Sequence, residues 1–125
     1  MPEDSLDKLK QRLADFASER EWDQFHSPKN LSMALIAECA ELVEHFQWLT
    51  EDESYKLNDT KKQEVSLELA DILIYLIRTA DKLDIDLIKS ARKKIEINES
   101  RYPADLVRGV AKRAGEYTAT DVEKE

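Results

Sequence analysis

The chain has 125 residues, enough for one domain with a real core and too few for two ordinary ones. Hydrophobic residues make up 42% and charged residues 37%, with two glycines and three prolines, which is the balance of a soluble helical chain with a charged surface. A net charge of −8 disfavours partners that need a continuous basic face, so neither nucleic acid nor an anionic membrane is expected to bind.

Ser5 is placed to cap a first helix whose apolar positions Leu6, Leu9, Leu13 and Phe16 or Ala17 recur at three and four, closing near Glu21. The opening segment MPEDSLDKLK has no apolar signal-peptide core, and no apolar span approaches the roughly 20 residues of a membrane crossing. Both point to the cytoplasm. EWDQFHSPKN breaks the helical period, because Pro28 biases Ser27 away from helix, and it puts Trp22, Phe25 and His26 on a connection.

A second helix is expected from Asn30 or Ser32 to Trp48 or Leu49, followed by a short turn that Thr50 and Glu53 close as a capping box. A third starts at Asp59 or Thr60 and lasts to about Leu83. A fourth starts at Asp84 or Asp86 and ends at Pro103. Four helices in a short chain imply an all-α four-helix bundle over residues 1–109, with a tail at 110–125 too poor in apolar residues to pack. Cys39 has no second cysteine to pair with and reads as a small buried residue.

Acids interrupt the second and third helices where a core would carry none. On the second, Glu38, Glu41, His45 and Trp48 fall on one stripe; on the third, Glu64, Glu68, Asp71 and Tyr75 do. Residues three apart on a helix have Cβ atoms roughly 5–6 Å from each other, so each pair confronts like charges unless a cation intervenes. For Glu44 and Glu64 an ordinary solvated face serves as well as a functional one. The runs LIAECAELV and LELADILIY leave too few polar neighbours for that explanation to cover Glu38, Glu41, Glu68 and Asp71. Burying carboxylates unpaired costs several kcal/mol each.

Four carboxylates without a partnering histidine suit a hard cation, Mg²⁺ first and Mn²⁺ as a substitute. A di-iron centre would call for E-x-x-H, and His45 follows Glu41 by four and Glu44 by one, so that pattern is absent. His45 itself reads equally as a polar neighbour of the site or as an interhelical histidine. Because Mg²⁺ completes its shell with water and phosphate oxygens, a carboxylate cluster points to several ions and a polyphosphate. Lys94, Asn98 and Tyr102 recur at four on the last helix and offer a cation, an amide and a phenol on one face.

The spacing E-x-x-E at Glu38 and Glu41 with E-x-x-D at Glu68 and Asp71 resembles the MazG-like all-α nucleoside triphosphate pyrophosphohydrolases. FASEREWDQFHSPKNL, ELVEHFQW, DILIYL and NESRYP look like the matching segments of the dCTP pyrophosphatase branch, so the similarity covers about residues 6 to 109. The resemblance implies hydrolysis of a nucleoside triphosphate to monophosphate and pyrophosphate, with Mg²⁺ on the four acids and water as nucleophile. It leaves the base open, with Glu41 as first candidate. It implies that Trp22, Trp48 and Tyr102 hold a pyrimidine, that Tyr75 belongs to the substrate site, and that the chain works as a homodimer or homotetramer. At Leu13, where some relatives place histidine, a polar contact to the base is missing. A noncatalytic helical regulator that binds nucleotides or another protein is the competing reading.

Overall fold

The computed structural model describes residues 5–111, and among these the regular structure is helical throughout: α1 (Leu6–Glu19), α2 (Pro28–Glu44), α3 (Glu51–Ser54), α4 (Asp59–Lys82), α5 (Leu87–Arg101) and α6 (Ala104–Val107), with a single 3-10 turn at Asp23–Phe25. The all-α class expected from the sequence is thus met among the described residues. The tail expected at 110–125 lies outside them except for Val110 and Ala111.

The helix starts follow their caps. Ser5 accepts from the Lys8 amide at 3.1 Å, Ser27 from Asn30 at 3.1 Å, Asn58 from Lys61 at 2.8 Å and Asp86 from Lys89 at 3.0 Å. Thr50 and Glu53 close the expected capping box, at 3.1 and 2.8 Å.

Two boundaries differ from expectation. α2 begins at Pro28, not at Asn30 or Ser32, because the first helical position has no amide bond to lose and proline's fixed φ suits it. It ends at Glu44, not at Trp48 or Leu49; beyond it the chain tightens into turns in which the His45 and Phe46 amides reach back only three residues, at 3.2 and 2.9 Å. Trp48 consequently leaves the helix.

The chain forms two compact units, residues 1–85 and 86–125. In the first, α4 is the central helix, with α2 packed along it and α1 against it. Ala17, Leu31, Val65, Ile77 and Ala80 form its buried core. Cys39, expected to be buried, is half-buried on α2. Between α1 and α4 an apolar groove of about 340 Å³ is lined by Leu9, Leu13, Phe16, Leu73, Ile74 and Ile77. In the second unit α5 stops at Arg101, just before Pro103, and Tyr102 caps it with its amide on the Asn98 carbonyl at 2.8 Å.

Both α1 and α4 end in the same way. Glu21 and Asp84 take left-handed φ values of 56° and 54°. The Glu21 and Trp22 amides then bond back to Ser18 and Ala17 carbonyls at 3.0 and 2.9 Å, while Asp84 and Ile85 bond back to Asp81 and Ala80 at 3.2 and 2.8 Å. These are Schellman motifs, closed here without glycine.

Candidate active site

Because α2 and α4 pack along each other, their acid stripes meet. Glu38, Glu41 and Glu68 each offer an oxygen within 4.8 Å of the others, a set that could hold a metal ion. Glu38 and Glu68 are half-buried, and Oε2 of each has no hydrogen-bond partner. A buried carboxylate oxygen left without a donor is costly, and a cation is what would satisfy it. Asp71 lies one turn beyond Glu68 and outside that close set, yet near enough that its charge raises the pKa of both Glu38 and Glu68.

The electrostatics report the same crowding. Burial first, and then the carboxylates of Glu41, Asp71 and Glu68, pushes Glu38 from 4.5 up to about 7. Glu68 is likewise raised, by burial first and then by Glu41. All donors are oxygens and the field is strongly negative, which fits a hard divalent cation and gives a soft one no ligand.

His45, placed by the turn after α2, sets its Nε2 3.8 Å from Glu68 and its Nδ1 3.9 Å from Glu64. Lys61 stands 3.1 Å from Glu64 and 3.3 Å from His45 Nδ1. Glu64 is therefore an exposed ion-pair partner, Glu44 is exposed, and His45 joins that pair to the edge of the acid cluster. Lys61 escaped the sequence reading because nothing in its polar surroundings marks it out.

Of the other expected site residues, Leu13 lines the groove between α1 and α4, and Phe16 of the same wall meets the Trp22 indole edge-on at 5.7 Å. Trp22 is 44% exposed and Trp48, on its turn, 86%. Tyr75 is half-buried on α4, one turn past Asp71. Lys94 and Asn98 are exposed on α5 and Tyr102 caps it, all three within the second unit.

A second polar group lies at the far end of α4. Arg78, 4% exposed, donates to Asp23 at 2.8 Å and to Asp81 at 3.4 Å, and Lys82 donates to the same Asp23 oxygen at 2.9 Å. The signal that could have found Arg78 is the one that found the acids, a charge inside the apolar run YLIRTA.

Among the described residues, then, two adjacent helices of an all-helical fold converge three carboxylates with two unpartnered oxygens, a set of the class that could hold a metal ion. The comparisons narrow that class. A sequence profile of the MazG-like family matches residues 34–117, and the chain belongs to this family. It is 40% identical over 114 residues to human dCTP pyrophosphatase 1, covering 90% of this chain and 67% of that protein. It is 41% identical over 112 residues to the rat protein of that name, covering 88% of this chain and 66% of that one. The chain thus spans about two thirds of the length of these relatives. A crystal structure of a pyrophosphatase from Archaeoglobus fulgidus superposes with a TM-score of 0.74 at 40% identity, covering 78% of this chain and 91% of that one.

Proposed function

We propose that this chain, a nucleoside triphosphate pyrophosphohydrolase by its family and relatives, converts a pyrimidine deoxynucleoside triphosphate, dCTP first, to the monophosphate and pyrophosphate. The observation that carries this reading is the convergence of Glu38, Glu41 and Glu68 with two buried oxygens lacking any donor.

In this reading Glu38, Glu41, Glu68 and Asp71 hold Mg²⁺, for which Mn²⁺ can substitute. A cation held by these residues would supply charge neutralisation for the triphosphate and a lowered pKa for the attacking water. Glu38 and Glu68 orient the ligand oxygens from the two helices, and Glu41, the more exposed of the cluster, takes the proton of the water. Lys94 and Asn98 contact phosphate and sugar. Trp22, Trp48 and Tyr102 hold the base by stacking, with Tyr75 beside the acids and Leu13 in the wall. Residues 1–109 act as one functional domain, completed in a homodimer or homotetramer. The exposure of Leu67, Leu69, Leu73 and Leu76 along α4 supports such an assembly. The work is placed in the cytoplasm, with the nucleotide pool it acts on; no described helix is long and apolar enough to cross a membrane.

Release of pyrophosphate is to be measured for each dNTP with Mg²⁺, with Mn²⁺ and with chelator. The expected result is metal-dependent turnover, fastest on dCTP or a C5-modified relative. No turnover of any nucleotide would leave a binding module in place of an enzyme, and a purine triphosphate as best substrate would overturn the assignment of the base.

A further inference from the structure

Arg78 is the charged side chain buried among the described residues, and two of its three partners come from outside its own helix. A desolvated guanidinium persists only where its donors are met. Those of Arg78 reach Asp23 at 2.8 Å and His26 Nδ1 at 3.2 and 3.4 Å, both on the connection between α1 and α2, and Asp81 on α4 itself at 3.4 Å. Lys82 adds a second cation on Asp23 at 2.9 Å. The hydrogen bond from Lys82, followed by that from Arg78, holds the Asp23 carboxyl below its ordinary range. Burial and then the Arg78 charge hold His26 below its own, so the imidazole is neutral and Nδ1 can accept.

Trp22 precedes Asp23 directly. Its backbone is set by the closing bonds of α1, and its indole stands edge-on between Phe16 at 5.7 Å and His26 at 6.5 Å. Phe16 belongs to a helix, but His26 lies on the connection and is fixed there by Arg78. One of the two rings that flank the indole is thus held by the Arg78 guanidinium.

We propose that Arg78 and Asp23 are positioning residues for Trp22, an ion pair from α4 to the connection that holds the indole at the angle in which it receives the base. The inference rests on the reading of Trp22 as a base-stacking residue. A pre-set aromatic platform loses little freedom on binding, whereas one on a loose connection must be ordered by the substrate, and that difference enters KM and leaves kcat alone.

The variant of choice is Asp23→Asn, which keeps the shape of a half-exposed side chain and removes its charge. In the full-length protein KM for dCTP is expected to rise about fivefold to tenfold, with kcat and the Mg²⁺ activation constant unchanged. In a Trp22→Ala background the same change should add less than about twofold, since its effect passes through the indole. A second readout needs no activity. In Trp48→Phe, Trp22 is the remaining indole of the two in the sequence, and adding Asp23→Asn should raise its quenching by acrylamide and lower its fluorescence anisotropy. Arg78→Lys, which keeps the charge and loses the fork, should move both readouts the same way. Unchanged fluorescence, or a KM effect that persists in full without Trp22, would overturn the proposal. Should the indole loosen while Trp22→Ala itself leaves KM unaltered, the anchoring stands and the stacking role of Trp22 falls.

Discussion

In the metal-free protein the Glu38 carboxyl is raised from 4.5 to about 7, chiefly by burial and then by its acidic neighbours. A raised carboxylate pKa means that the folded chain binds the proton more tightly than the unfolded chain does. The resulting penalty is present in full above pH 7, shrinks as pH falls through the window from 7 to 4.5, and vanishes below it. Counted whole, the displacement would be worth about 3 kcal/mol. Glu38 keeps some access to water, and screening reduces that to about 1 kcal/mol. Glu38→Gln removes the charge and keeps the shape, so with chelator at about pH 8 the variant should melt roughly 3–5 °C above wild type. At about pH 5 the gap should nearly close. Addition of Mg²⁺ should then reverse the order, because wild type gains by mass action what the variant cannot. Thermal melts of the two proteins, with chelator and with Mg²⁺ across that pH range, make the comparison. A variant less stable than wild type with chelator at pH 8 would show the acids to be structural partners and would refute the reasoning.

Three further outcomes are expected. Lys94→Ala and Asn98→Ala should raise KM for all nucleoside triphosphates by similar factors, since contacts to phosphate and sugar do not read the base, and steady-state kinetics on a panel of dNTPs would expose a base-dependent loss that contradicts this. Leu13→His should narrow the range of pyrimidines accepted by supplying a hydrogen bond at the ring edge, with the metal requirement unaltered; competition between dCTP and its C5-modified forms measures it. Glu21→Gly should stabilise the fold by roughly 0.5–1 kcal/mol in a denaturant melt, because Glu21 holds a φ of 56° that glycine adopts without strain.

The parts of this molecule legible in its sequence were those written in short-range chemistry. Ser5, Thr50 with Glu53, and Asp86 announced their helices because a cap is satisfied within three residues. The acids stood out because charge inside an apolar run has few structural explanations, and the packing of α2 along α4 brought Glu38, Glu41 and Glu68 together as their spacing suggested. The end of α2 was not legible. From Glu44 onward EHFQW is as good a helix as what precedes it, and only the i to i+3 bonds of the folded chain reveal the break. Nor was the Asp23 to Arg78 pair, separated by 55 residues, since a single sequence carries no sign of which acid a buried arginine will meet. The placement of Asp71 outside the close set also follows from how two helices cross, which periodicity does not contain.

The closing turn of α1 is tied by main-chain bonds from the Glu21 and Trp22 amides to the Ser18 and Ala17 carbonyls, with the Arg20 guanidinium beside them on the Phe16 carbonyl. Main-chain bonds are indifferent to which side chain stands above them. The residue that follows the turn is thus delivered to the same place whatever its identity, and position 22 can be exchanged without dismantling its support. If residue 22 is the base platform proposed above, such a turn lets the platform be exchanged while the acid cluster on α2 and α4 is left as it is.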